Sequence, residues 1–123
     1  MSQLGDTVTL TVGASDKVLT KINGPNNYAS EYLLKEADRQ FRVRVRHTQT
    51  KGGKNGAPAY DRHNFEVVET VYATESVPEH YRKAYFVFEL LPTDVVVTLP
   101  DAMADLIIAN ANELLDELTD WKS

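Results

Sequence analysis

Residues 41–50 alternate between two kinds of side chain, and this alternation constrains the fold more than any other feature of the sequence. Apolar side chains fill the first odd positions and arginine or threonine fills every even one: Phe41, Val43 and Val45 against Arg42, Arg44, Arg46, Thr48 and Thr50. Because successive side chains of a β-strand point to opposite faces, a period of two predicts a strand with one apolar and one basic face. We therefore expect a sheet that buries only one of its faces.

Five further segments have the composition of strands, and residues typical of turns separate them. We predict strands at 7–12, 18–22, 28–34, 64–72 and 81–91, with turns or loops at 13–17, 23–27, 51–58 and 73–79. Two alternatives stay open: residues 31–36 are also compatible with a helix, and adjacent Val67 and Val68 leave the parity of strand 64–72 undecided. The Asn55-Gly56 pair is a strong signal for a hairpin turn.

The C-terminal region is predicted to form one amphipathic helix of about 20 residues. Thr98 is suited to the N-cap and Pro100 to the first turn, and Asp101 completes a pair that resembles a capping box. Apolar residues recur at helical spacing: Met103, Leu106, Ile107, Leu114, Leu118 and Trp121.

The expected fold class is α+β, in a single domain that comprises residues 1–123. It has an N-terminal β-hairpin (1–24), an antiparallel β-sheet (27–92) and a long C-terminal helix (98–121) that covers one sheet face. A single helix covers only part of so wide a sheet, and a homodimer is the simplest source of the missing cover. We expect the six apolar helix residues to lie in that dimer interface.

The charge of the chain is unevenly distributed. Thirteen basic and eighteen acidic residues give a net charge of −5, which taken alone argues weakly against binding to nucleic acid. Residues 39–63, however, contain seven basic residues and a single acid, Asp61, whereas residues 101–122 are strongly acidic. Since the local potential decides what binds to a surface, one basic face remains compatible with an anionic partner.

The three arginines of segment 41–50 share one face, and two interpretations of them stay open. They belong either to a solvated face, paired with cross-strand acids such as Glu66, or to a platform whose guanidinium groups bind the phosphates of a polyanion. The threonines of the segment can form hydrogen bonds there, and Tyr85 and Val87 are candidates to extend the same face. An exposed tyrosine beside arginines is a natural surface on which an unpaired base stacks.

Catalysis finds no support in the sequence. The chain has no cysteine, which excludes disulfides and thiol chemistry, and its three histidines lack the spacing of metal ligands. His47 follows the apolar positions of its strand, so we expect a hydrogen-bonded, buried histidine. No nucleophile–base arrangement and no carboxylate pair suited to acid–base chemistry is present. We expect a protein that is not an enzyme and that needs no metal or cofactor.

Membrane insertion and secretion find no support either. No apolar run reaches the roughly 18 residues that cross a membrane. The N-terminal residues lack the basic and then apolar pattern of a secretory signal. We expect a soluble protein that is made in a cytoplasm and has no membrane partner.

Taken in order, these segments resemble the coat protein of single-stranded RNA bacteriophages of the levivirus type. Residues 7–13 and 18–22 are similar to the N-terminal hairpin of that family, 26–31 to its third strand, 41–49 to its basic strand and 85–90 to its following long strand. Val77-Pro78 stands where the family has the loop that meets other copies at the symmetry axes. The helix from Thr98 corresponds to the C-terminal helix of the family.

The resemblance implies an interlocked homodimer in which two chains share one continuous sheet and each helix lies over the partner's half. Dimers would assemble into the icosahedral shell of a virion, made in the cytoplasm of a bacterial host. The open sheet face would bind single-stranded genomic RNA and, in several members, an RNA hairpin at the replicase start, which represses translation. By position, the resemblance implies this RNA-facing set: Arg42, Arg44, Arg46, Thr48, Thr50, Asn64, Glu66, Val68, Tyr85 and Val87.

Several members of the family have an asparagine at the position of Val87. Val87 lacks the amide group of that asparagine, whereas three neighbouring arginines bind phosphates regardless of sequence. The chain is therefore expected to have general affinity for RNA rather than to recognise one hairpin. A small dimeric RNA-binding regulator that forms no shell is the alternative function. The formation of particles distinguishes a capsid subunit from such a regulator.

Overall fold

The computed structural model describes residues 3–23 and 28–123. Residues 24–27 of the predicted second turn, and the start of the segment that resembles the third strand of the phage coat proteins, lie outside the described residues. Residues Met1–Pro92 and Thr93–Ser123 form two compact units. The first contains all the strands and the second contains the helix.

Six strands form one antiparallel sheet, in which their spatial order follows the chain. They are β1 (Thr7–Val12), β2 (Ser15–Lys21), β3 (Ala29–Lys35), β4 (Arg39–Gln49), β5 (Asp61–Val71) and β6 (His80–Leu90). All six predicted strands are confirmed, and residues 29–35 form a strand rather than a helix. β2 begins earlier than predicted because the first turn is short. In that turn Gly13, at φ 62°, supplies the left-handed conformation that glycine adopts readily.

The pairing of β4 with β5 decides the parity that the sequence left open. Arg44 lies opposite Glu66 and Arg42 lies opposite Val68, whereas Val67 lies opposite Val43. The even residues of β5 therefore share the arginine face of β4. The odd residues of β5 extend the apolar face.

The core lies on the apolar face and comes from the first four strands. Its buried members are Val8, Leu19, Tyr32, Phe41, Val43 and Val45, with Leu10, Leu34, Phe65 and Val67 packed against them. β2 and β4 are not neighbours in the sheet, yet both contribute to this cluster. Lys17 Nζ of β2 lies 5.7 Å from the centre of the Phe41 ring of β4, so the N-terminal hairpin curls over the apolar face. Tyr32 Oη fastens it by donating a 2.9 Å hydrogen bond to the Gly5 carbonyl, and Lys17 Nζ lies 2.9 Å from a Glu36 carboxylate oxygen. The alternation of apolar and polar side chains along the strands does not predict that the N-terminal hairpin covers the apolar face.

The connection between β4 and β5 contains the predicted hairpin turn. Asn55 and Gly56 both have positive φ, 63° and 79°, as a turn of type I′ requires. They lie in a short 3₁₀ turn, Lys54–Gly56, and the Gly53 N–H donates a 3.1 Å hydrogen bond to the Ala57 carbonyl. The turn lies within the connection of residues 50–60, and β4 and β5 pair along their full length on either side of it.

The second unit contains the predicted helix, α1 (Thr98–Thr119). The predicted cap is wrong: Val97 occupies the N-cap, and no side chain caps the described helix, so Thr98 and Asp101 form no capping box. Asp101 still lies in the first turn, where a negative charge favours the positive end of the helix dipole. No helix of the described residues is long and apolar enough to cross a membrane.

The backbone of α1 departs from helical geometry at residues 109–112. Asn110, Ala111 and Asn112 have left-handed φ values of 54°, 56° and 68°, and asparagine tolerates that region better than most residues. The helix also ends before Trp121, whose φ is 64°. The apolar stripe is consequently divided into a part before the break and a part after it, and Trp121 lies beyond the helix, contrary to the predicted end at residue 121.

Candidate nucleic-acid interface

The arginine face is the side of the sheet on which Arg42, Arg44 and Arg46 lie. The strand register places six further predicted residues on it: Thr48 on β4, Asn64, Glu66 and Val68 on β5, and Tyr85 and Val87 on β6. One row across four strands consists of Glu31, Arg44, Glu66 and Tyr85. Neighbouring strands lie about 4.8 Å apart, and this row of the site is four strands wide.

Two carboxylates of the same face hold the three arginines. Glu31 accepts hydrogen bonds from Arg42 Nη1 and, at 3.1 Å, from Arg44 Nε. Glu66 lies 3.9 Å from Arg44 and 3.5 Å from Arg46. The pairing with a cross-strand acid such as Glu66, which the first of the two open interpretations contained, is present. Glu31 is a partner that the sequence analysis missed, because only the register of β3 reveals that it faces the arginines.

Pairing leaves two of the three guanidinium groups open to solvent. The side chains of Arg44 and Arg46 are 47% and 52% exposed, whereas that of Glu66 is only 11% exposed. The carboxylate therefore lies low in the face and the guanidinium groups extend above it. The hydrogen bond from Arg42 lowers the pKa of Glu31, Arg44 lowers it further, and burial opposes both. Glu31 is anionic at neutral pH, so the arginine face carries alternating charges.

Aromatic side chains border the arginine face on β6. Tyr85 and Tyr81 are largely exposed, and Lys83 Nζ lies 5.5 Å from the centre of the Tyr81 ring. Tyr81 and Lys83 were not predicted, although their spacings of four and two residues from Tyr85 are the signal that would have found them. These rings offer π-faces to a base, and Lys83 adds a positive charge beside them.

The two predicted threonines differ in their surroundings. Thr48 is exposed and lies opposite Arg62. Thr50 follows the end of β4, and its Oγ1 accepts a 2.9 Å hydrogen bond from the Tyr60 N–H while its own N–H donates one to the Tyr60 carbonyl. Thr50 therefore helps to close the hairpin, and its hydroxyl proton and one oxygen lone pair remain for a ligand.

The remaining predicted residues, Asn64, Val68 and Val87, are half-buried on β5 and β6. Asn64 lies between Arg46 and Val87 in its row. Its Oδ1 is buried and accepts no hydrogen bond from any described residue. Asn64 is thus a residue of this face with unused hydrogen-bonding capacity.

Polar groups on the opposite face form two separate pairings. His47 and His63 lie opposite each other with their Nδ1 atoms 2.9 Å apart, so the hydrogen bond expected at His47 is present, although the residue is half-buried rather than buried. Glu69 accepts hydrogen bonds from Arg39 at 2.9 Å and from Arg82 at 3.0 Å. Among the described residues, no cluster of three His, Asp or Glu could hold a metal ion.

The helix exposes the apolar residues that were predicted for a dimer interface. Met103, Leu106, Leu118 and Trp121 are exposed and Ile107 and Leu114 are half-buried. Three further apolar residues are also exposed: Leu99, Ile108 and Leu115. None of the 22 residues of α1, all of which are described, is buried. So much exposed apolar surface on one helix is typical of an interaction site.

Comparisons with known proteins agree with this fold. A family model described as phage phiCb5 coat protein matches residues 5–91. A virus-like particle of Beihai levi-like virus 21 aligns with 95% of this chain and 94% of its own, at a TM-score of 0.59 and 18% identity. An unassembled bacteriophage coat protein dimer, titled an RNA-binding dimer, covers 95% and 93% at a TM-score of 0.51 and 13% identity. No curated protein matches in sequence. The chain thus shares with these proteins a six-stranded antiparallel sheet followed by a C-terminal helix.

Proposed function

The chain belongs to the phage phiCb5 coat protein family, and from this premise we propose that it forms dimers that assemble into a shell around single-stranded RNA. Family membership confirms the resemblance that the sequence predicted. A coat protein is a structural component of the virion. The dimer, the RNA partner, synthesis in the host cytoplasm and repression through an RNA hairpin are the finer parts of this proposal.

The edge of the sheet at β6 supports the dimer. β6 has 11 residues and pairs with β5 on one side only, in the part of the chain that the structure describes. A long exposed edge invites pairing with another strand. Pairing of β6 with β6 of a second copy would give one continuous sheet, as the resemblance implies.

The apolar side of the same region supports the proposed place of the helix. Phe86 is 40% exposed on the apolar face, and its ring stacks 5.6 Å from that of half-buried Phe88. The partner's α1 would cover these rings with its exposed apolar residues. Burial of apolar area contributes roughly 25 cal/mol per Å², so contact between the apolar face at β6 and the partner's α1 would stabilise the dimer.

The single observation that carries the RNA proposal is the open arginine face. Arg44 and Arg46 are about half exposed, and a guanidinium group can bind a phosphate through two parallel hydrogen bonds. Tyr85 offers a ring on which a base stacks. Asn64, opposite Arg46, and Thr48, two residues after Arg46, add hydrogen-bonding groups to this face. With this face turned inward, every dimer of a shell would contact the packaged RNA.

Expression of the full chain alone tests the shell. We expect particles that contain RNA in size-exclusion chromatography and electron microscopy. Dimers that bind RNA but never form particles, at any salt or protein concentration, would instead favour the alternative function, a small dimeric RNA-binding regulator that forms no shell. Monomers at every concentration would overturn both functions.

Substitution of all three arginines tests the RNA-binding face. Arg42→Gln, Arg44→Gln and Arg46→Gln together should preserve dimers and lower the RNA content. The variant should also flatten the salt dependence of binding, whose slope is about −0.7 per contacted phosphate on single strands. Arg82→Gln removes an exposed cation from the opposite face and is the control. Unchanged RNA content and an unchanged slope in the triple variant would contradict the proposal.

A further inference from the structure

We infer that Glu31 and Glu66 act as internal counterions that limit the affinity of the arginine face for RNA. This inference rests on the proposed function of that face. It assigns a role to two acidic residues that lie inside a basic site. RNA then binds firmly only where its phosphates compete successfully with these two carboxylates.

The contacts are arranged as a chain of alternating charges. Glu31 bridges Arg42 and Arg44, and Glu66 bridges Arg44 and Arg46. Three guanidinium groups and two carboxylates leave one net positive charge in the cluster. N–H groups that donate to a carboxylate are not available to a phosphate, so full engagement of RNA requires exchange of these contacts.

The free-energy cost of exchanging a carboxylate for a phosphate differs among the three arginines. Arg46 is the most exposed of the three side chains and approaches Glu66 only to 3.5 Å, whereas Arg42 is 26% exposed and is hydrogen-bonded to Glu31. We therefore expect Arg46 to contact RNA most readily and Arg42 least readily.

Glu69 provides a matched comparison within the same sheet. Its carboxylate also binds two arginines, Arg39 and Arg82, and its side chain is 16% exposed. It lies on the apolar face, because Glu69 is paired with Phe41. A substitution at Glu69 therefore changes net charge and arginine pairing as one at Glu31 or Glu66 does, but away from the arginine face.

The test compares Glu31→Gln, Glu66→Gln and Glu69→Gln in the full chain. Binding of fluorescent oligouridylate is measured by anisotropy over a range of NaCl concentrations, with light scattering to detect particle assembly. We expect Glu31→Gln and Glu66→Gln each to tighten binding about fivefold, the effect of a partly exposed ion pair. We expect each to steepen the salt dependence by about 0.7. Glu69→Gln should change neither quantity.

Two outcomes would overturn the inference. An equal gain in all three variants would show that net charge alone governs binding. Unchanged or weaker binding of Glu31→Gln would show that the carboxylate orients the arginines instead of competing with RNA. If Glu66→Gln fails to fold by circular dichroism, Glu31→Gln against Glu69→Gln decides the question.

The triple arginine variant separates this inference from the proposed function. If that variant binds RNA as the unaltered chain does, the RNA-binding face itself is wrong. If it loses RNA while Glu31→Gln binds like Glu69→Gln, only the role of the two carboxylates is wrong.

Discussion

Glu31 and Glu69 lie on opposite faces of the same sheet, yet each carboxylate accepts hydrogen bonds from two arginine side chains. The hydrogen bond from Arg42 lowers the pKa of Glu31. At Glu69 burial acts to raise the pKa, but the hydrogen bonds from Arg39 and Arg82 together lower it. A carboxyl group whose pKa is lowered on folding stabilises the fold above its unfolded pKa, and this contribution disappears as the pH falls through the folded pKa.

The double variant Glu31→Gln, Glu69→Gln should therefore have a changed acid dependence of stability. The usual glutamate pKa is 4.5, so the unaltered chain loses the contribution of both carboxylates as the pH falls below that value. We expect the double variant to be less stable at neutral pH and the difference to close as the pH falls through the lowered pKa values of the two carboxyl groups. Urea unfolding at a series of pH values measures this difference. The charge-matched control is the double variant Glu75→Gln, Glu79→Gln in the exposed connection after β5. Parallel pH profiles would contradict the prediction.

Tyr85 should contribute to RNA affinity through its ring. Its side chain is 67% exposed beside Glu66, and stacking on an aromatic ring contributes about 1–3 kcal/mol per base. We expect Tyr85→Ala to weaken binding of oligouridylate by this amount and Tyr85→Phe to retain most of the affinity, as measured by fluorescence anisotropy. Equal affinities of the Ala and Phe variants would exclude stacking at this position.

The apolar residues of α1 should be essential for the dimer. Leu114 and Leu118 lie after the break in the helix, and a charge buried at an interface without a partner costs several kcal/mol. We expect Leu114→Asp or Leu118→Asp to abolish the dimer in sedimentation analysis. The control is Asp116→Asn, which alters charge on the same helical segment. Dimers that persist in both leucine variants would rule out a helix-mediated interface.

The break in α1 makes opposite predictions for two alanines. Ala111 has a left-handed φ of 56°, which costs a residue other than glycine about 1–2 kcal/mol. Ala111→Gly should therefore stabilise the chain by about 1 kcal/mol. Ala104→Gly, in the regular part of the helix, should destabilise it by about 1 kcal/mol. Both are measured by urea unfolding monitored by circular dichroism. A loss of stability of similar size in both variants would indicate a continuous helix.

The comparison of sequence and structure is most instructive at β4 and α1. The period of two in residues 41–50 correctly predicts which side chains are buried, because strand geometry links sequence parity directly to the face of the sheet. The helical spacing likewise predicts α1. It does not predict the break at residues 109–112, where no proline or glycine stands. It also does not predict the absence of the capping box, because tertiary context can override local helix propensity.

The sequence by itself determined the six strands, the helix, the basic face and the family, because periodicity, turn residues and the order of segments are local properties of the chain. Only the tertiary structure decided that Glu31 lies among the arginines, that Asn64 and Glu66 share their face, and that the N-terminal hairpin covers part of the core. These relations depend on how strands distant in sequence align. One residue of shift in that alignment moves every side chain of a strand to the other face.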